Sequence, residues 1–159
     1  MTPTAESIMT RDVVTARPED SVAAVAKLLC DHGVSAAPVC DEQGRLLGMV
    51  SEGDLMRPFG QKNKLKRSWW LSLLAEGTGL APEFLDYLRL DHRTVRTLMT
   101  SPVVTAPDDS GVPDLADLLI RHNIKRVPIV REGKLVGIVS RADIVRALAR
   151  EPETAIEIV

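Results

Sequence analysis

Two serine–aspartate pairs are the residues of this sequence best suited to binding chemistry. Ser51/Asp54 and Ser140/Asp143 each end the pattern Gly-h-h-Ser-x-x-Asp, where h is apolar. At a helix start, Ser-x-x-Asp is a capping box whose side chains satisfy free main-chain N–H groups. The same geometry suits a ligand, because a helix N-terminus attracts an anion and a carboxylate accepts hydrogen bonds from the two hydroxyls of a ribose. The preceding glycine would let a ligand approach the backbone closely, and the capping and binding interpretations are compatible.

The two pairs belong to an internal repeat that covers most of the chain. Residues 8–16 recur as 98–106 at an offset of 90 (99 − 9 for the shared methionine). One turn is a residue shorter in the second copy, so residues 48–54 recur as 137–143 at an offset of 89 (143 − 54). Such self-similarity predicts two copies of one supersecondary unit.

Each copy predicts the order strand–helix–strand–strand–helix, which gives an α+β (α/β-like) fold of two β-α-β-β-α repeats. The strands are expected at 13–16, 37–40 and 46–50 in the first copy and at 103–106, 127–130 and 135–139 in the second. Apolar residues recur at helical spacing after each first strand: Val22, Val25, Ala26 and Leu29, and then Val112, Leu115, Leu118 and Leu119. The closing helices are expected at 52–56 and 141–149. A unit of about 50 residues buries little surface alone, so we expect both copies to pack into one body.

These patterns predict a first repeat at 1–58, a helical insert at 59–93, a second repeat at 94–150 and a tail at 151–159.

Copy two has Pro113 in the first turn of its first predicted helix. The missing N–H of proline costs little stability there, because the first turn leaves its N–H groups unpaired within the helix.

Composition excludes several classes of function. A formal net charge of −2 and an aromatic content of 3% are unlike the cationic, stacking surfaces that bind nucleic acids. No stretch approaches the roughly 20 apolar residues of a transmembrane helix, and the first residues lack the features of a secretory signal. We expect Cys30 and Cys40 to be buried small hydrophobic residues in a reducing cytoplasm. His32 and His122 suit helix C-termini, and no histidine or cysteine spacing suggests a metal site.

The two copies together resemble a tandem pair of CBS domains, the module named after cystathionine β-synthase. The resemblance rests on h-Met-Thr-x-x-h-h-Thr, x-h-x-x-h-Pro-h and Gly-h-h-Ser-x-x-Asp in each copy, and it covers nearly all of residues 5–58 and 94–150. It implies a disc-like module with two clefts between the copies. It also implies binding of AMP, ADP, ATP or S-adenosylmethionine as an effector, with no required cofactor.

The resemblance also assigns candidate site residues. The first cleft would contain Thr10, Val14, Thr15, Lys125, Arg126, Ser140 and Asp143. The second cleft would contain Ser35, Ser51, Asp54, Thr100, Val104 and Thr105. The two aspartates would hold ribose, and the Val–Thr segments would line the adenine.

The surroundings of the two aspartates differ in charge. The matching positions are Lys125 and Ser35, Arg126 and Ala36, and Arg141 and Glu52. A phosphate gains charge-assisted hydrogen bonds beside cations and is repelled by a carboxylate. We therefore predict that the Asp143 cleft prefers phosphorylated nucleotides, while the Asp54 cleft stays empty or takes a less anionic adenosyl ligand.

The insert begins with cations and continues into a predicted apolar helix. The interface residues expected on this helix are Trp69, Trp70, Leu73 and Leu74. Three roles stay open, namely packing as a dimer element, docking of a separate partner, and contact with a membrane surface or nucleic acid. The insert is similar to that of bacterial two-CBS proteins, many of which continue into a BON domain that this sequence does not contain.

These expectations describe a cytoplasmic, non-enzymatic regulatory protein, a homodimer that passes ligand occupancy to an unidentified partner. An enzyme would need a nucleophile–base pair, an acid–base dyad or a phosphate-cradling glycine loop, and the sequence contains none. The alternative is a structural adaptor whose serine–aspartate pairs only cap helices. Carboxylates turned back onto their own main chain, with both clefts filled by side chains, would favour that adaptor.

Overall fold

Helices and short strands make up much of residues 2–57 and 93–150, which are the residues that the computed structural model describes. In chain order the elements are α1 (Ala5–Ile8), α2 (Val22–His32), β1 (Ala36–Cys40), β2 (Leu46–Ser51), α3 (Glu52–Met56), α4 (Val95–Leu98), β3 (Ala106–Pro107), α5 (Val112–Arg121), β4 (Arg126–Arg131), β5 (Lys134–Ser140) and α6 (Arg141–Arg150). The α+β class is therefore confirmed. The predicted tail at 151–159 and the expected interface residues Trp69, Trp70, Leu73 and Leu74 lie outside the described residues, so these remain predictions.

The elements form two compact units, and each unit draws on both copies of the repeat. Among the described residues, the first unit contains 2–13, 43–46 and 103–150, and the second contains 14–42, 47–57 and 93–102. The leading helix of each copy therefore belongs to the core of the other copy.

In the first unit, α1 of the first copy completes a core made by the second copy. Strand β3 pairs in parallel with β4, and β4 pairs antiparallel with β5. The Ala5 amide donates to the carbonyl of Ser110 at 2.8 Å, and the Val112 amide donates to the carbonyl of Pro3 at 3.1 Å. Ala5 is fully buried in the same apolar cluster as Leu115. Main-chain hydrogen bonds and core packing together hold the exchanged helix.

The second unit repeats this arrangement with the copies reversed. Strands β1 and β2 form its sheet, and α4 of the second copy packs into its core. The Val95 amide donates to the carbonyl of Asp20 at 2.9 Å, and the Arg96 amide donates to the carbonyl of Pro18 at 3.0 Å. Val95 is fully buried, so its side chain anchors α4 as Ala5 anchors α1.

The apolar periodicity predicts the buried helix faces well. In α2 all four predicted core residues are buried. In α5 three of the four are buried, whereas Leu118 is half-buried. The helix ends also agree with the sequence, because the residues after the two histidines, Gly33 and Asn123, adopt left-handed conformations with φ of 61° and 50°.

The strands predicted at 13–16 and 103–106 are largely wrong. Only Ala16 forms a parallel bridge, to Val39, and only the two residues of β3 pair with β4. A strand needs a neighbour along its length, and residues 13–15 and 103–105 form no bridge within the described residues. These segments instead carry the chain from one unit to the other.

The prediction that both cysteines are buried is wrong for Cys30, which is exposed, and confirmed for Cys40. The buried stripe of α2 contains Val22, Val25, Ala26 and Leu29. At 100° per residue, Cys30 lies about 90° from the centre of that stripe. Cys40 instead lies on β1 in the interior of the second unit.

The two thiols should therefore differ strongly in reactivity. Burial, with a smaller contribution from Asp41, raises the pKa of the Cys40 thiol to about 11 from an ordinary value of 9.0. Near pH 7.5 this lowers the Cys40 thiolate fraction by about 100-fold, so we expect a disulfide reagent such as DTNB to modify one thiol per chain rapidly. The second should react only in urea, and C30S should abolish the fast phase. Two fast thiols in the folded protein would contradict this assignment.

Candidate ligand-binding site

The second-copy pair forms a capping box at the start of α6. Asp143 Oδ2 accepts hydrogen bonds from the Ser140 amide at 2.7 Å and from Ser140 Oγ at 2.9 Å, while the Asp143 amide donates to Ser140 Oγ at 3.3 Å. Asp143 is only 7% exposed. These bonds satisfy free N–H groups of the helix start and fix the carboxylate in one orientation.

The first-copy pair forms the same arrangement at the start of α3. Asp54 Oδ2 accepts hydrogen bonds from the Ser51 amide at 2.8 Å and from Ser51 Oγ at 3.1 Å, and the Asp54 amide donates to Ser51 Oγ at 3.4 Å. Asp54 is 5% exposed. The capping interpretation is therefore confirmed for both copies, and both carboxylates turn back onto their own main chain.

An arginine binds the second oxygen of each carboxylate, a role that the sequence-based predictions did not include. Arg57 donates to Asp54 Oδ1, and Arg146 donates to Asp143 Oδ1. Each arginine lies three residues after its aspartate, one turn along the helix, where side chains meet. The signal was available in the sequence, because Ser-x-x-Asp-x-x-Arg occurs in both copies.

The glycine of each motif makes room for another segment of the protein's own chain, because a side chain at that position would overlap it. This corrects the expectation that the glycine lets a ligand approach. A Cβ on Gly137 would lie 3.0 Å from the carbonyl oxygen of Thr10 and 2.7 Å from Met9 Cγ. A Cβ on Gly48 would lie 2.8 Å from the carbonyl oxygen of Thr100. The repeated Met-Thr segments therefore occupy the space above both glycines.

In the first unit, the chain near the Ser140/Asp143 pair includes three other candidates, namely Thr10, Lys125 and Arg126. Thr10 forms an antiparallel bridge with Ile138, two residues before Ser140 on β5. Arg126 is the cross-strand partner of Ser140, so the two side chains share one face of the sheet. The carbonyl of Lys125 accepts a hydrogen bond from the Arg141 amide at 3.1 Å, which places the Lys125 backbone beside the start of α6.

The second unit arranges its own candidates in the same way. Thr100 forms an antiparallel bridge with Met49, two residues before Ser51. The carbonyl of Ser35 accepts from the Glu52 amide at 3.0 Å, which places Ser35 beside the start of α3. The resemblance places four other candidates in a cleft with an aspartate of the other unit: Val14, Thr15, Val104 and Thr105. Their position in the same cleft as that aspartate remains a proposal.

The charge difference between the copies persists in the structure. The second-copy motif has Arg141 at its helix start, with Nε donating to the carbonyl of Ile124 at 3.0 Å. The first-copy motif has the acidic Glu52 at that position. Since Arg57 and Arg146 add one cation to each copy, the second copy remains the more cationic.

The described residues contain neither a metal-type cluster nor a membrane-spanning helix. Residues 2–57 and 93–150 contain no group of three or more histidine, cysteine, aspartate or glutamate residues that could hold a metal ion. His32 is exposed and lies with Nδ1 3.0 Å from the carbonyl oxygen of Leu28, at the end of α2. No helix in this part of the chain is long and apolar enough to cross a membrane.

Comparison with protein families identifies both copies. The family model for the CBS domain matches residues 5–59 and 95–150. An uncharacterized protein of Methanocaldococcus jannaschii is 34% identical over 151 residues, which cover 90% of this chain and 89% of that protein. Several other curated relatives are longer, and the chain spans between 20% and 58% of their lengths.

Solved structures agree with this assignment. The CBS domain of a CBS-domain-containing membrane protein from Sphaerobacter thermophilus is 36% identical, with a TM-score of 0.70, and the match covers 92% of this chain and 88% of that one. CBSX2 of Arabidopsis thaliana, solved in complex with AMP, is 27% identical with a TM-score of 0.69 and coverages of 92% and 96%.

Because other residues pack closely against the motif glycines, replacing these glycines should destabilise the folded protein. We expect G137A to lower the free energy of unfolding by about 1–3 kcal/mol, because the new Cβ overlaps Met9 and Thr10. G53A provides the control, since its Cβ would lie 3.6 Å from Ser51 Oγ and alanine favours a helix. Urea unfolding should show G53A unchanged or more stable, and equal stability of G137A and wild type would contradict the close approach.

Proposed function

The chain belongs to the CBS-domain family and contains a tandem pair of these domains, and on that premise we propose that it is a non-enzymatic regulatory module that binds an adenosine-containing ligand. The observation that carries the proposal is the pair of buried aspartates, each oriented by a capping box and each with its Oδ1 on an exposed arginine. The complex of the related CBSX2 with AMP supports an adenine nucleotide as the ligand.

Capping and binding are compatible at the level of single oxygen atoms. A carboxylate offers about four lone-pair sites, two on each oxygen. In Asp143, Oδ2 already accepts two hydrogen bonds from Ser140, whereas Oδ1 accepts one from Arg146. A ribose hydroxyl therefore has one acceptor oxygen to use, and the capping box holds that oxygen in place.

The Asp143 site is proposed as the one that takes phosphorylated ligands. Arg141 and Lys125 are beside the start of α6, whereas Glu52 occupies the position of Arg141 in the first copy. A phosphate beside the first-copy motif would meet a like charge, which disfavours binding. The Asp54 site is accordingly proposed to stay empty or to take a less anionic adenosyl ligand.

Further parts of the proposal rest on the sequence alone. We place the repeats at 1–58 and 94–150, the insert at 59–93 and the tail at 151–159, and the protein as a cytoplasmic homodimer. Trp69, Trp70, Leu73 and Leu74 are the proposed interface residues. Ligand binding would change the surface that an unidentified partner recognises.

A structural adaptor is the second candidate, and the satisfied capping boxes favour it. Both aspartates have a helix-capping role that needs no ligand. Thermal unfolding with and without millimolar AMP, ADP, ATP, NAD and S-adenosylmethionine separates the two functions. A ligand at about 100 times its dissociation constant stabilises by about 2.7 kcal/mol, so a sensor should melt at a higher temperature with one of them, and an adaptor with none.

Matched substitutions test the inequivalence of the two sites. D143N keeps the size and one acceptor oxygen but removes the charge, and we expect it to weaken AMP binding by about ten- to a hundredfold. D54N should change AMP affinity little, because the first-copy site is the less cationic. Calorimetric titration of both variants, with melting temperatures to confirm folding, measures the difference. Equal losses in the two variants would contradict the assignment.

A further inference from the structure

We propose, on the basis of the function proposed above, that Arg146 determines specificity for phosphorylated ligands. It holds Oδ1 of Asp143 in the unliganded protein and transfers to the phosphate of the ligand when a ribose hydroxyl takes that oxygen. The proposal rests on the geometry of one carboxylate and the exposure of the two side chains that form the pair.

The carboxylate leaves a ligand only one oxygen to approach. Asp143 Oδ2 receives the Ser140 amide and hydroxyl at 2.7 and 2.9 Å, which use its two lone-pair sites. Oδ1 is the oxygen that Arg146 contacts. A hydroxyl that binds this carboxylate therefore shares Oδ1 with the guanidinium or displaces it.

The arginine is the partner that can move. The Asp143 side chain is 8% exposed and is anchored by the capping box, whereas the Arg146 side chain is 63% exposed. The long arginine side chain reaches a new position by rotating about its own bonds, while moving the aspartate would break the helix cap.

The movement of Arg146 from Asp143 to the ligand favours ligands that contain an anionic group. If a neutral nucleoside displaces Arg146, the buried carboxylate loses its cation and gains only a hydroxyl. If a nucleotide does so, the guanidinium can bind the phosphate through two parallel hydrogen bonds, so one ion pair replaces another. Arg146 therefore disfavours adenosine and favours AMP. The nearby Arg141 is less free to do this, because its Nε donates to the carbonyl of Ile124.

The test compares two ligands in one protein background. AMP and adenosine are titrated by calorimetry into D54N, in which the first-copy site is weakened, and into the same chain carrying R146Q, R146K or R150Q. We expect R146Q to lower the preference for AMP over adenosine by at least about tenfold, as adenosine binds no more weakly and AMP binds more weakly. R146K keeps the charge but loses the paired hydrogen bonds, so an intermediate preference is expected.

R150Q is the matched control, because it removes the same charge from the same helix seven residues from Asp143 (150 − 143). It should keep the preference of the parent, and an equal fall in R150Q would overturn the proposal in favour of general electrostatics. An unchanged preference in R146Q, or in R146K if R146Q does not fold, would also overturn it. Absence of binding by either ligand to wild type would instead overturn the proposed function itself.

Discussion

A carboxylate buried at a helix start needs donors that balance its charge, and this requirement organises both halves of the protein. Asp54 and Asp143 obtain those donors from their own chain, through a serine three residues before and an arginine three residues after. On one side, the amide and hydroxyl of a serine at the end of a strand both donate to Oδ2 and cap the following helix. On the other side, an exposed arginine side chain meets a buried carboxylate, so the arginine is the partner that can rotate away. One oxygen of each carboxylate therefore caps a helix, and the other accepts from an exposed arginine.

The exchange of leading segments explains why the motif begins with glycine. Each Met-Thr segment runs antiparallel to the strand that leads into a capping box, Thr10 beside Ile138 and Thr100 beside Met49. This approach is so close that a side chain on the neighbouring glycine has no room. The positions of the aspartates thus depend on residues from the opposite copy, and the two copies stabilise each other's sites. This mutual dependence agrees with the expectation that a repeat of this length buries too little surface alone.

Much of this arrangement could be predicted from the sequence, because it depends on local and periodic signals. The buried faces of α2 and α5 followed from apolar spacing, and their left-handed ends from Gly33 and Asn123, whereas the short helices α1 and α4 were not predicted. The capping boxes followed from serine–aspartate spacing. The contacts of Arg57 and Arg146 are equally local, but both copies share these arginines, whereas the predicted charge difference rests on Lys125, Arg126 and Arg141, which the first copy lacks.

What the sequence could not predict depends on long-range contacts. The exchange of α1 and α4 between the copies arises from pairings of residues far apart in sequence, Ala5 with Ser110 (110 − 5 = 105) and Val95 with Asp20 (95 − 20 = 75), which no local pattern encodes. Residues 13–15 and 103–105, which their apolar character predicts as strands, form no bridge within the described part of the chain. The exposure of Cys30 is a simpler case, since its neighbours are apolar in sequence while its direction on α2 is toward solvent.

The affinity of the protein for AMP relative to 2′,3′-dideoxy-AMP is the measurement that tests the central claim most directly. The two ligands share adenine and phosphate and differ only in the hydroxyls that Asp143 is proposed to bind. The account predicts that loss of both hydroxyls weakens binding by at least about tenfold, the value of a hydrogen bond to a charged group. Equal affinity for the two ligands would contradict it, because the buried carboxylates would then serve only to cap their helices.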